Sequence, residues 1–234
     1  MAILTEEQTM LRDMAREWVD NEAPVSAFRK MRDAAPPAGY DPAIWAAQAE
    51  MGWTGILVPE EQGGAGMGYV SLGLVLEQLG RNLVASPLAS TAAATSAILL
   101  GGSDAQRAEW LPKIAAGEVV APLAIDEGPR FDPDAIATAV TDGKLSGTKA
   151  FVPEGDSAAL FVVAATDGLY LVSGEQGVTR VPRHLIDSRS HAQVTFEAAP
   201  AEPLGGGVAL IAQIADRAAA AASAEDRKST RLNS

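Results

Sequence analysis

The chain has 234 residues and a formal net charge of −12, and it is long enough to bury a substantial core in one large domain or two small ones. The negative charge argues against nucleic-acid binding, because the sequence lacks a basic patch that could displace counterions from phosphates. We expect no membrane span, since no apolar run approaches ~20 residues, and zero cysteines exclude disulfides and fit a cytoplasmic location.

The first half of the chain predicts five helices. A capping-box pair, Thr5 with Gln8, opens the first helix. Asp41–Pro42, Ser86–Pro87 and Ser103 with Gln106 are the start signals of the second, fourth and fifth helices. The third helix is predicted from about Val70 to Leu79, with Gly80 as its C-cap. Pro112 is expected to break or kink the fifth helix.

Near Val119 the apolar period changes from 3.6 to 2. Short strands are predicted at 119–125, 135–140, 144–152, 159–165, 168–173, 177–181 and 192–198. Turn residues such as Asp142–Gly143 separate them. Seven short strands in about 80 residues predict a compact β-barrel or sandwich.

After the glycines at 205–207 the pattern becomes helical again. The predicted fold class is therefore α+β, with an all-α domain at 1–118, a β domain at 119–204 and, at 205–225, the first helix of something that the chain lacks. Val208, Ile211 and Ile214 are expected to face helices that the chain lacks. The last nine residues, DRKSTRLNS at 226–234, are interpreted as a non-native tail translated from a sequencing adapter, with a natural polar tail as the alternative.

The stretch VPEEQGGAGMG at 58–68 raises the question of a phosphate-binding loop. Glu60 and Glu61 would repel a phosphate, and no Gly-Lys-Ser/Thr follows. Glycines also permit tight turns and close packing of helices. The sequence favours a packing role for this loop.

Several stretches of the sequence, in order along the chain, resemble segments of the acyl-CoA dehydrogenase family. They are LTEEQTMLRDMAREWV, MGWTGILVPEEQGGAGMGYVSLGLVLEQLGR, AEWLPKIAAGE, LAIDE, GKLSGTKAFVPEGDSAALFVVAA and IDSRSHAQVTFEAAPAEPLGG. Each falls on the secondary structure predicted for it. The resemblance implies the family's order of an α domain, a β domain and a second α domain.

The resemblance also implies an activity and partners. Such an enzyme removes the α-proton of an acyl-CoA with a carboxylate base, while the β-hydride passes to FAD. Electrons would then go to an electron-transferring flavoprotein, and the full-length protein would form a homo- or hetero-oligomer. The family's catalytic glutamate would lie in the missing C-terminal domain, so we name no catalytic base. Lys144, Lys149 and Arg180 could contact CoA phosphates, but isolated basic residues are usually solvated, and that alternative stays open.

The family holds FAD with two strands, one ending T-E-P-x-x-G-S-D and one reading W-[IV]-[TS]-N. On the first strand, the resemblance places Leu123, Ile125 and Asp126 at flavin-contact positions. Either Phe131 or Asp132 stands in place of the family's serine.

On the second strand, Phe151 replaces the aromatic residue that stacks on the flavin. Pro153 replaces the Thr or Ser that hydrogen-bonds near flavin N5, and proline has neither a hydroxyl nor an N–H group. These departures leave an alternative open: a non-catalytic, flavin-free structural subunit of a heteromeric acyl-CoA dehydrogenase. An oxidase or monooxygenase on the same scaffold is a further alternative, and the acyl-chain length cannot be read from the sequence.

Overall fold

A computed structural model describes residues 4–129, 132 and 135–226. Six helices precede a seven-stranded sheet, and a seventh helix follows it in the described part of the chain. The helices are α1 (Glu6–Glu22), α2 (Val25–Ala34), α3 (Pro42–Glu50), α4 (Gly68–Arg81), α5 (Leu88–Gly101), α6 (Asp104–Ala115) and α7 (Gly207–Asp226). The strands are β1 (Leu123–Ala124), β2 (Ala139–Thr141), β3 (Lys144–Pro153), β4 (Leu160–Ala165), β5 (Gly168–Ser173), β6 (Val178–His184) and β7 (Ser190–Pro203).

The predicted helix starts are confirmed where a side chain caps the helix. Thr5 and Ser103 each form a complete capping box with the residue three positions on, at α1 and α6. The carboxylate of Asp41 accepts a hydrogen bond from the backbone of Ala43 at 2.9 Å and caps α3. These side chains satisfy backbone N–H groups that a helix leaves unpaired at its first turn.

Two helix predictions need correction. The sequence reading missed α2, whose N-cap, Pro24, makes no side-chain hydrogen bond and whose residues are all at least partly exposed. The fifth helix is not broken at Pro112, because α6 continues through it to Ala115, whereas a kink there stays a prediction. A helix tolerates an internal proline when packing offsets the lost backbone bond, and the flanking Leu111 and Ile114 are both fully buried.

The third predicted helix is also longer than its apolar stripe indicated. Helix α4 begins at Gly68 and runs through Gly80 to Arg81, so Gly80 lies inside the helix instead of capping it. A Cβ atom at Gly80 would overlap the backbone of Glu225 in α7. Glycine is therefore explained at this position by the close approach of two helices.

Each of the seven predicted strands overlaps an observed one, but the first is reduced to Leu123–Ala124, and the second, predicted at 135–140, is Ala139–Thr141. Asp142 and Gly143, both with positive φ, form the turn between β2 and β3. The sheet follows the order β1-β4-β5-β7-β3-β2, and β6 also pairs with β7. The long strand β7 meets β3 along one edge, while β6 and β5 share the other edge.

The sheet curls so that the chain after β1 returns to β3. The backbone N–H group of Ala150 donates to the carbonyl oxygen of Asp126 at 2.7 Å. Strand β4 is buried on both faces, with Phe161 and Val163 in a core inside the curl and Val162 in a core shared with the helices. The predicted β domain is thus confirmed, in the form of a curled half-barrel.

Helix α7 packs back on its own chain, against α4, α5 and β5. Ile211 and Ile214 are buried in the core shared with α5 and α6, whereas Val208 is 59% exposed. The expectation that all three residues face missing helices is therefore wrong for Ile211 and Ile214. None of the helices in the described ranges combines the length and apolar character needed to cross a membrane.

Candidate functional site

The structure brings the two predicted cofactor strands side by side. The bond from Ala150 to the Asp126 carbonyl joins them directly, next to Phe151. A second bond runs from Nζ of Lys149 to the carbonyl oxygen of Ile125 at 3.1 Å. Residues separated by about two dozen positions along the chain therefore form one surface.

The side chains on the first strand differ in exposure. Leu123 is half-buried against the core shared with the helices, and Ile125 is buried within that core. Asp126 is half-buried. Of these three side chains, Leu123 and Asp126 therefore remain open to contact with a ligand.

An ion pair between a buried lysine and a half-buried glutamate joins these two strands. The Lys149 side chain has no solvent exposure, and its Nζ atom lies 2.7 Å from Oε1 of Glu127. The Glu127 carboxylate also accepts the backbone N–H groups of Ala137 at 2.8 Å and Thr138 at 3.0 Å. Burying an ammonium group costs several kcal/mol of desolvation free energy. The Glu127 carboxylate and the Ile125 carbonyl oxygen offset that cost for Lys149.

Burial raises the pKa of Glu127, but hydrogen bonds from Lys149 and from the backbone of Ala137 and Thr138 outweigh that effect and lower it to about 2. Burial lowers the pKa of Lys149, and the Glu127 carboxylate partly offsets this change. The sequence reading treated Lys149 as a possible CoA contact. Lys149 lies four positions after Leu145, on the same face of the strand, and that apolar neighbour was the available sign of an inward position.

Asp126 carries a buried polar atom that its neighbours leave unsatisfied. Within the described residues, its Oδ1 atom has no hydrogen-bond partner. Burial raises the pKa of Asp126, and the nearby Lys149 ammonium partly counteracts this. Buried polar atoms are nearly always hydrogen-bonded in native proteins. Asp126 can therefore accept a hydrogen bond from a ligand N–H group or, when protonated, donate one.

On the second strand, Phe151 lies where the pairing of β3 with β7 is irregular, between Lys149 and Val152. The Phe151 side chain is 37% exposed, unlike its buried neighbour Val152. Pro153 lies opposite His191 on β7. Burial lowers the pKa of His191 and favours the neutral imidazole.

The predicted serine-equivalent position remains unassigned. Phe131 lies outside the described residues. Asp132 is exposed, and its carbonyl oxygen accepts a hydrogen bond from the backbone of Ala135 at 3.1 Å.

Two further candidates for CoA contact have different surroundings. Arg180 donates to the carbonyl oxygens of Gly155, Ala158 and Gly174 at 2.7–3.1 Å, so its guanidinium fastens loops of the sheet together. Lys144 is exposed at the start of β3. Of the three sequence candidates, Lys144 is the one that these contacts leave open to solvent.

The glycine-rich loop at 58–68 uses its own backbone donors. The N–H groups of residues 63–67 donate to the carbonyl oxygens of Glu60, Pro59, Gly55, Val58 and Ile56, respectively, at 2.9–3.1 Å. A phosphate cradle needs such N–H groups to point at the ligand. A Cβ atom at Gly64 would also overlap the Val58 carbonyl. The predicted packing role is confirmed.

A polar cluster that the sequence reading missed lies among α4, α5 and α7. Tyr69 donates from its hydroxyl to Oγ of Ser96 at 2.7 Å. Arg217 on α7 donates to the same Tyr69 hydroxyl, and its guanidinium carbon lies 4.7 Å from the centre of the Tyr69 ring. Residues so far apart along the chain gave no local sequence signal.

Comparisons with known proteins agree with this architecture. A family model described as the N-terminal domain of acyl-CoA dehydrogenase matches residues 5–118. The (2S)-methylsuccinyl-CoA dehydrogenase of Cereibacter sphaeroides is 40% identical over 134 residues, covering 56% of this chain and 24% of that protein. The mitochondrial isovaleryl-CoA dehydrogenase of Pongo abelii is 27% identical over 193 residues, covering 75% of this chain and 43% of that protein.

A solved structure described as a Tcur3481-Tcur3483 steroid ACAD variant is 32% identical, with a TM-score of 0.87. The match covers 94% of this chain and 62% of that one. The chain belongs to the acyl-CoA dehydrogenase family and contains its N-terminal and middle domains. It spans less than half the length of these two curated relatives.

Proposed function

We propose that this chain is part of an FAD-dependent acyl-CoA dehydrogenase. The reaction would introduce a double bond between the α and β carbons of an acyl-CoA thioester, with electrons passing to an electron-transferring flavoprotein. Family membership supports the reaction class, because two relatives are named as dehydrogenases of CoA thioesters. The proposals for the cofactor and for the residues that would contact it are argued from the candidate site.

One observation carries the cofactor proposal: the buried Oδ1 atom of Asp126 has no hydrogen-bond partner among the described residues, and the Asp126 backbone is bonded to Ala150, the neighbour of the exposed Phe151. A flavin offers an N–H group and a flat aromatic surface, which match an orphan acceptor and an available aromatic ring. Leu123 and Asp126 would hold the cofactor from the first strand, and Phe151 from the second. When bound, FAD would supply the hydride acceptor.

The chain's own residues would position the cofactor without performing the proton transfer. The buried Lys149–Glu127 pair fixes the two strands relative to each other. Pro153 can donate no hydrogen bond at its position, since it has neither an N–H group nor a hydroxyl. The base that removes the α-proton is proposed to be the family's glutamate, outside the residues of this chain.

A second candidate function is favoured by Pro153. A strand that cannot donate a hydrogen bond at this position suits a flavin-free subunit paired with an active partner, in a heteromeric enzyme. The steroid ACAD at 32% identity is described by two protein names, Tcur3481 and Tcur3483. A heteromeric assembly is therefore part of this second proposal, whereas the first one allows a homo-oligomer.

A cytoplasmic location is also proposed, on the basis of zero cysteines.

The test uses the complete product of the gene, purified alone and after incubation with FAD. We expect a bound flavin whose visible absorbance bleaches when an acyl-CoA is added without oxygen, and recovers when an electron-transferring flavoprotein is added. A colourless protein that takes up no FAD would overturn the first proposal and support the second. Rapid reoxidation of the reduced flavin by oxygen would instead indicate an oxidase or monooxygenase.

A further inference from the structure

The residue that follows Pro153 has an unusual environment. Glu154 is 3% exposed and has a φ of 48°, in the left-handed region that side chains larger than glycine rarely adopt. Its backbone N–H group donates to the carbonyl oxygen of Ser190 at 2.9 Å. A buried carboxylate and a left-handed backbone are each unfavourable, so specific contacts must hold this residue in place.

The first of these contacts comes from the helical domain. Ser90 on α5 donates from Oγ to Oε2 of Glu154 at 2.5 Å. The same hydroxyl lies 3.0 Å from the carbonyl oxygen of Pro87, at the start of that helix. The end of β3 is therefore fastened to the first turn of α5.

The second contact is Arg189, in the loop between β6 and β7. Its Nη2 atom lies 3.8 Å from Oε1 of Glu154 and donates to the carbonyl oxygen of Ser86 at 2.8 Å. Its Nη1 atom donates to Oε1 of Glu225 at 2.9 Å. Glu225 lies in the last turn of α7. One guanidinium thus bridges the end of β3, the approach to α5 and the end of α7.

We propose that Glu154 and Arg189 are positioning residues. Through their contacts, the conformation of the end of β3 depends on how the last turn of α7 packs. The end of β3 carries Phe151 and Pro153, so the docking of α7 would be transmitted to the candidate flavin surface. That consequence rests on the proposed function, whereas the mechanical coupling of α7 to β3 does not.

The coupling is tested at its distal end, with Glu225→Ala. This variant removes the carboxylate at Arg189 and leaves β3 and the candidate flavin residues unchanged. Ser223→Ala is the matched control, because Ser223 lies near the same end of α7 and its hydroxyl donates to Ala219 within the helix. Hydrogen exchange is measured on the complete gene product, without and with FAD.

Amide exchange in the peptide covering residues 150–155 should be about tenfold faster in Glu225→Ala, the factor expected when a charged hydrogen bond is lost. Ser223→Ala should leave that peptide unchanged. Faster exchange confined to α7 would overturn the proposal.

The flavin measurements separate this proposal from the proposed function. If flavin binds, its absorption maximum should shift in Glu225→Ala and not in Ser223→Ala; an unshifted spectrum would overturn the transmission to the flavin surface. If no flavin binds while exchange at 150–155 still responds, the proposed function fails and the coupling holds.

Discussion

Lys149 on β3 and Glu127 after β1 form an ion pair, with Nζ and Oε1 2.7 Å apart and the lysine side chain fully buried. The ammonium group also reaches the carbonyl oxygen of Ile125. The pair therefore joins β3 to the chain that follows β1, where the curled sheet meets itself. Substitutions in this pair therefore test whether the middle domain is folded as described.

Removing the lysine should destabilise the fold strongly. We expect Lys149→Met to lower the free energy of unfolding by about 1.5–3 kcal/mol, because Glu127, which is only partly buried, loses a charged hydrogen bond. Lys144→Met, an exposed change on the same strand, should stay within about 0.5 kcal/mol. Urea unfolding measures both. Equal effects of the two substitutions would contradict the burial of Lys149.

The same pair predicts a loss of stability in acid. The pKa of Glu127 is about 2 in the folded protein, below the ~4.3 of a free glutamate. A depressed pKa contributes stability above the unfolded value, and this contribution is lost as the pH falls through the folded value. The stability difference between the wild type and Glu127→Gln should therefore shrink from about pH 4.3 down to about pH 2. A constant difference across this range, in urea unfolding at each pH, would show that Glu127 is not tied to Lys149.

Helix α7 should stabilise the chain that contains it. We expect Ile214→Ala to cost about 2–5 kcal/mol, because Ile214 is fully buried. Val208→Ala, at the exposed start of the same helix, is the matched control and should cost much less. Thermal unfolding compares them. Similar small effects would mean that α7 does not pack on α4 and α5.

The sequence predicted most of the fold because the relevant signals are local. Capping side chains such as Thr5 and Ser103, and the alternation along β7, depend on near neighbours in the chain. The errors arose where long-range packing decides the outcome. Core burial around Pro112 keeps α6 continuous, and α7 finds its partners among helices more than a hundred residues earlier.

The candidate site was less accessible from the sequence. Family resemblance brought Asp126 and Phe151 together, and the structure places their strands side by side. The pairing of Lys149 with Glu127 and the bridge from Arg189 to Glu225 join distant parts of the chain. Such contacts follow from the curl of the sheet and the docking of α7, which no short motif encodes.

Pro153 gives a prediction at the candidate flavin surface. Pro153→Thr would introduce a hydroxyl and an N–H group on β3, and a new hydrogen bond is worth roughly 0.5–1.5 kcal/mol. We expect FAD to bind up to about tenfold more tightly or the flavin potential to shift. Spectroelectrochemistry and FAD titration measure the two quantities. No change in either would mean that residue 153 does not face the flavin ring.

The most direct test of the central claim is FAD titration of the complete gene product, followed by visible absorbance, for the wild type and Asp126→Ala. The account predicts a bound flavin in the wild type and about tenfold weaker binding in the variant, because the Oδ1 acceptor is lost. Glu118→Ala, a change outside the two strands, should bind like the wild type. A wild-type protein that binds no FAD, or an Asp126→Ala variant that binds it with unchanged affinity, would contradict the account.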